Sequence, residues 1–145
     1  MLYSQSCEYA IRALSYLALQ PEEKFSPVWE IAEHQKIPKH FLGKLLQMLS
    51  KNGLVKSFRG PGGGWALNLK AAQISLLKVV KCIDGLCYLE RCIFGIGTCS
   101  CEDPCPMHEK WRPIKEQIMW LLQTETLAEL AAPITIAQEE RESVK

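Results

Sequence analysis

Four of the seven cysteines stand between Cys92 and Cys105, in a run of Cys-Ile-Phe-Gly-Ile-Gly-Thr-Cys-Ser-Cys-Glu-Asp-Pro-Cys-Pro-Met-His that closes on His108. Glycine and proline let a backbone wrap a small object, so thiolates on such spacers can turn toward one metal centre. Cys92, Cys99 and Cys105 are far enough apart for a loop to set each at its own vertex, and Cys101 adds a further thiol. His108 follows Cys105 by three residues, within reach of the same centre from the first turn of a helix. Structural zinc usually takes two tight Cys-x-x-Cys knuckles, so the looser spacing favours an iron–sulfur cluster over zinc. A loop of unbound thiols, or a disulfide, is the plain alternative.

Hydropathy and charge bound what surrounds this loop. No apolar run approaches the roughly 20 residues of a membrane span, and Glu8 interrupts the N-terminal apolar pattern, unlike a signal peptide. The expectation is a cytoplasmic protein with no membrane partner. In a reducing compartment, seven cysteines, an odd number, argue for metal or redox chemistry and against a disulfide framework. The formal net charge is only +1, but its distribution is uneven. No acidic residue occurs between Glu33 and Asp84, a window that holds Lys36, Lys39, Lys44, Lys51, Lys56, Arg59, Lys70, Lys78 and Lys81. A basic block beside an acidic one is the footprint of a nucleic-acid-binding module joined to something else.

The elements that position these groups follow from periodicity. Residues 4–19 read as an amphipathic helix with Cys7, Ala10, Ile11, Leu14, Leu17 and Ala18 at three- and four-residue steps, and Glu8 and Arg12 one turn apart as an exposed ion pair. Ser26-Pro27 reads as an N-cap followed by proline at the first helical position, opening a helix to about His34. After a turn, Pro38 opens a second helix with Leu42, Leu45, Leu46 and Leu49 buried and Lys39, His40, Lys44 and Gln47 outward, closed by Asn52-Gly53. Two such helices, the second basic on its open face, make a helix-turn-helix. Strands at 54–59 and 65–69 flank Gly60-Pro61-Gly62-Gly63-Gly64, a loop able to press close to another molecule and, with Arg59 at its base, a wing for DNA phosphates or a minor groove. Ser75 caps a helix bearing Leu76, Leu77, Val79, Val80 and Ile83. Beyond the cysteines, a long helix from His108 to about Gln123 carries Trp111, Ile114, Ile118, Met119, Leu121 and Leu122, with Pro113 in its early turns. Thr126-Leu-Ala-Glu129 has capping-box form and starts a short further helix, with a polar, frayed tail after Pro133. So much apolar surface on the long helix implies packing against a second copy, a homodimer.

Tyr9-Ala-Ile-Arg-Ala-Leu14, Ile31-Ala32, Ile37-Pro38 with Leu42, Asn52-Gly-Leu-Val55, Arg59-Gly-Pro-Gly-Gly-Gly64, Ile83-Asp-Gly85, the cysteine loop and Thr126-Leu127 together resemble the winged-helix iron–sulfur transcriptional regulators of the IscR, NsrR and RirA kind. The resemblance implies a mainly α fold with a small β-hairpin wing: a winged helix-turn-helix domain over 1–85, a cysteine-rich cluster-binding loop over 86–108, a dimerisation helix region over 109–132 and a flexible tail over 133–145. It implies a [2Fe–2S] or [4Fe–4S] cluster on Cys92, Cys99 and Cys105. His108 matches the fourth ligand of one branch, and Glu8 matches a carboxylate that in another branch reaches across the dimer. The spacing from Cys92 to Cys99 is one residue longer than in familiar members, and Cys101 is an extra thiolate that could replace a neighbour.

The function expected is a DNA-binding transcriptional regulator, not an enzyme, whose hold on a double-stranded operator is controlled by a cluster sensing iron, redox state or nitric oxide. Lys39, His40, Phe41, Lys44 and Lys51 would face DNA from the second helix, with Arg59, Gly60, Pro61, Gly62 and Gly63 from the wing. A zinc or bare-thiol redox switch of the same fold is the alternative. An iron–sulfur electron-transfer protein is a further one, which leaves the acid-free block and the wing unexplained.

Overall fold

In the computed structural model, which describes residues 2–144 and the side chains of all but 87–88 and 134–139, Ser4 caps the first helix. This helix, α1 (Gln5–Ala18), begins where the Ser4 hydroxyl accepts the Cys7 backbone N–H at 3.2 Å. It buries Cys7, Ala10, Ala13, Leu14 and Leu17, the stripe that its periodicity predicts. The Asp84 carboxylate accepts from both the Ser4 backbone N–H, at 2.7 Å, and the Ser4 hydroxyl, tying the start of α1 to a helix that ends at Ile83. Arg12 does not pair with Glu8. It donates to the Gln35 carbonyl and lies 5.7 Å from the Tyr9 ring centroid. An exposed ion pair one turn apart is worth little, so a carbonyl and an aromatic face outcompete it.

The helix-turn-helix is α2 (Val28–Gln35) and α3 (Lys39–Lys51). Ser26 does not cap α2. It is fully buried, and its backbone exchanges hydrogen bonds with Trp65 at 2.8 and 2.7 Å, so the N-cap falls on Pro27 without a side-chain bond. Sheet pairing fixes the Ser26 backbone one residue too early for a cap. Lys36 closes α2 in the left-handed region, and α3 then buries Leu42, Leu45, Leu46 and Leu49 as expected.

The wing pairs β1 (Val55–Phe58) with β2 (Gly64–Leu67), antiparallel, Val55 opposite Leu67 and Phe58 opposite Gly64. A 3₁₀ turn at Ala71–Gln73 leads to α4 (Leu76–Ile83), capped by Ser75. A short α5 (Cys87–Glu90) precedes the cysteine loop, and α6 (His108–Thr124) and α7 (Leu127–Ser143) follow it. Thr126 and Glu129 form the expected capping box. The last helix, however, runs through Pro133 to Ser143 instead of stopping short before a frayed tail. The run from Gln138 to Glu142 is rich in good helix formers, and one proline costs the helix only locally.

One core joins these parts. Leu14, Ile31, Leu42, Leu46, Leu49, Val79, Val80, Leu122 and Leu127, drawn from α1, α2, α3, α4, α6 and α7, are among its fully buried members, with Ile74 from the segment before α4. Each such side chain contributes about 1.5–3 kcal/mol on full burial. The helix carrying His108 therefore rests on α4, and α4 rests on the basic helix α3.

Candidate metal centre and nucleic-acid interface

The cysteine loop is held in shape by its own backbone. The Cys92 N–H donates to the Gly97 carbonyl at 2.9 Å, the Gly95 N–H to the Cys92 carbonyl at 3.0 Å, and the Cys99 N–H to the Glu90 carbonyl at 2.8 Å. Gly95 and Gly97 sit at φ 89° and 61°, a conformation that side-chain-bearing residues rarely adopt. That turn brings Cys92 and Cys99 to its base. On the far side, the His108 N–H donates to the Cys105 carbonyl at 3.0 Å, so α6 starts directly from the last cysteine.

Cys92, Cys99, Cys105 and His108 line one cavity of about 170 Å³. Cys92 is 6% exposed and His108 4%. The Ile96 backbone N–H holds the Cys92 thiol below its ordinary pKa; burial opposes this, while hydrogen bonds from Cys105 and the Phe94 and Gly95 amides reinforce it. Burial pushes the Cys105 thiol up, and its hydrogen bond with Cys92 raises it further. Within this pair the Cys92 thiol gives up its proton more readily than the Cys105 thiol. His108 bridges two other thiols, with Nδ1 3.6 Å from Cys99 Sγ and Nε2 3.5 Å from Cys101 Sγ. Among the described residues, no three donors converge on one point as a single ion would require. They form pairs around one cavity, an arrangement suited to a centre larger than one ion.

The other described cysteines and the rival carboxylate lie elsewhere. Cys101 is exposed and does not line the cavity, and Glu8 stands on the exposed face of α1, away from the cavity of its own chain. Cys7 is fully buried, and burial raises its thiol to about 12, with Asp84 adding to the shift. Cys82 is half-buried and donates to the Met48 carbonyl at 3.6 Å. Sequence reasoning missed the backbone amides at Phe94, Gly95 and Ile96; the two glycines that let the chain curl were the available signal.

The nucleic-acid side is assembled from α3 and the wing. Lys39, His40, Lys44, Gln47 and Lys51 are exposed on α3. Phe41 is half-buried, its ring edge-to-face with Tyr9 at 5.9 Å, so it braces α3 against α1 more than it faces outward. Arg59, Gly60, Pro61 and Gly62 are exposed at the wing tip, and a groove of about 440 Å³ between α3 and the wing is lined by Gln47, Lys51, Phe58, Arg59 and Trp65 among others. Gly63 is needed for space: a Cβ there would lie 2.8 Å from the Gly60 carbonyl oxygen and closer still to that of Phe58. Phe58, not anticipated from sequence, is 55% exposed beside Arg59 and packs on Phe25 at 5.6 Å. No helix among the described residues is long and apolar enough to cross a membrane.

The family profile described as Rrf2, iron-dependent transcriptional regulator, matches residues 3–133. The HTH-type transcriptional regulator IscR of Escherichia coli is 38% identical over 122 residues, spanning 84% of this chain and 75% of its own length. Among solved structures, T. potens IscR is similar with a TM-score of 0.75 at 27% identity, covering 93% of this chain and 89% of its own. CymR, the global cysteine regulator of B. subtilis, gives a TM-score of 0.74 at 26% identity, covering 89% and 95%.

Proposed function

The chain belongs to the Rrf2 family of iron-dependent transcriptional regulators, and from that premise we propose that it is a cytoplasmic, homodimeric DNA-binding protein whose hold on its operator is set by an iron–sulfur cluster among Cys92, Cys99, Cys105 and His108. The observation that carries this reading is the cavity lined by three thiols and one buried imidazole. The residues fit the group: thiolate and imidazole are its ligands, and the backbone amides around Cys92 favour the deprotonated sulfur that ligation needs. Donors in pairs, Cys92 with Cys105 and Cys99 with His108, favour [2Fe–2S], in which each iron takes two protein ligands. Bound there, the cluster would supply a one-electron centre that oxidation or iron loss can change.

Control of DNA binding then has a physical route. His108 is the first residue of α6, α6 packs on α4, and α4 packs on α3, where Cys82 also touches the Met48 carbonyl. A change in how His108 is held biases the tilt of α6, and through α4 the placement of α3. Lys39, His40 and Lys44 would enter the major groove, while Arg59 and the glycine tip grip the backbone or minor groove. Met107 at the N-cap of α6 and Trp111, Ile114, Ile118 and Leu121 along it recur at alternating steps of four and three, and although Ile118 also packs on the chain's own core, the rest form a seam that a second copy would cover. Met107, Ile114 and Leu121 are exposed in the single chain. The wild-type protein should therefore sediment as a dimer, and Ile114→Glu as a monomer. A monomeric wild type, with and without metal, would rule the seam out.

The reading is tested by anaerobic reconstitution of wild type, His108→Ala and Glu8→Ala, following visible absorbance and its decay in air. His108→Ala should lose cluster about tenfold faster or more, and Glu8→Ala should match wild type. The reverse pattern would move the fourth ligand to the partner subunit. A second reading has one observation in its favour, the hydrogen-bonded Cys92 and Cys105 thiols, which could close a disulfide in a thiol switch. In that case the protein would change DNA affinity on oxidation without ever binding iron.

A further inference from the structure

We propose that Cys101 is a positioning residue for His108: its sulfur holds the imidazole Nε2–H, which turns Nδ1 toward the cavity. The proposal rests on the reading of His108 as the fourth ligand. Three observations carry it. The two ring nitrogens meet different thiols, Nδ1 with Cys99 Sγ at 3.6 Å and Nε2 with Cys101 Sγ at 3.5 Å. Of those two cysteines only Cys99 lines the cavity, so Nδ1 is on the cavity side of the ring and Nε2 on the outer side. The ring itself is buried, which leaves Nε2 dependent on a protein partner.

In a neutral imidazole one nitrogen donates its N–H while the other offers its lone pair. A ring whose Nε2–H is committed to Cys101 therefore presents Nδ1 as the ligating atom. Metal-bound histidines regularly have their second nitrogen held in this way, by carboxylate, carbonyl or water; here the holder is a sulfur. This makes Cys101 an outer support for the ligand instead of a ligand itself, and the fourth cysteine of the loop no longer competes with Cys99 and Cys105.

The test compares Cys101→Ala, Cys101→Ser and wild type in two states. In the metal-free protein, proton and nitrogen NMR at one pH should show a slowly exchanging His108 Nε2–H resonance in wild type. Cys101→Ala should lose it, and Cys101→Ser, which keeps an acceptor, should restore it at least in part. In the reconstituted protein, Cys101→Ala should take up iron with a wild-type absorption envelope but release it to a chelator about tenfold faster or more, with Cys101→Ser between the two. Wild-type behaviour of Cys101→Ala in both states overturns the proposal. So does complete failure of Cys101→Ala to load, which would make Cys101 a ligand. If wild type itself forms no cluster, the cluster reading falls separately, and the metal-free resonance still decides whether Cys101 holds the ring.

Discussion

Cys92→Ala, reconstituted anaerobically with iron and sulfide, is expected to show almost none of the visible absorption of the wild type and to hold iron at least about tenfold more weakly. Cys92 is the most enclosed thiol of the loop, at 6% exposure, and the Ile96 N–H is the main influence favouring its thiolate. Alanine removes a proposed ligand and also strands backbone donors that the loop has arranged around a sulfur. Cys105, whose thiol is hydrogen-bonded to Cys92, loses its partner at the same time. Cys82→Ala is the matched comparison, because Cys82 lies on α4 against α3 and does not line the cavity. That variant should load as wild type does. Equal absorbance from Cys92→Ala and wild type would remove the loop from consideration as the metal centre.

The second large effect belongs to the wing. A Cβ on Gly64 would lie 2.6 Å from the Pro27 backbone nitrogen and closer to the Ser26 carbonyl, and no flexible side chain is there to yield. Gly64→Ala must separate β2 from the Ser26 bridge, which is where the wing joins the helix-turn-helix. The expected cost is about 2–4 kcal/mol of folding stability, read as a lower thermal midpoint. Affinity for the strongest DNA fragment selected from a random pool should fall further than it does for Arg59→Ala. Arg59→Ala removes one phosphate-facing charge and should reduce the salt slope of log affinity by about 0.9 while leaving the thermal midpoint near wild type. Changing His40 should alter sequence preference instead. Gly64→Ala with unchanged stability and unchanged affinity would show that the bridge between Ser26 and Trp65 is not what sets the wing.

How much of this was legible in the sequence depended on whether a residue's partner lay nearby in the chain. The stripe Leu42, Leu45, Leu46, Leu49, the Ser75 cap and the box of Thr126 with Glu129 are local patterns, and the structure keeps each of them. Ser26 looked like a cap by the same local logic, but its backbone is claimed by Trp65, thirty-nine positions on, a pairing that no local pattern announces. Arg12 failed similarly, because its partner is the Gln35 carbonyl across the α1–α2 junction. The cysteines could be grouped by spacing, and the structure gathers Cys92, Cys99, Cys105 and His108 on one cavity. Which nitrogen of His108 faces that cavity, and that Cys101 meets the other, depends on the curl of the loop through Gly95 and Gly97. Spacing alone does not encode that orientation.

The most direct test of the account is the affinity of one preparation for its selected DNA in two states, cluster-loaded and cluster-free, measured anaerobically at fixed salt. Linkage through α6 and α4 requires the two affinities to differ, by about 5–150-fold for a coupling of ordinary size. The account predicts such a difference in wild type and its disappearance in Cys92→Ala. Equal affinities for loaded and cluster-free wild type, with the cluster intact throughout, would contradict it.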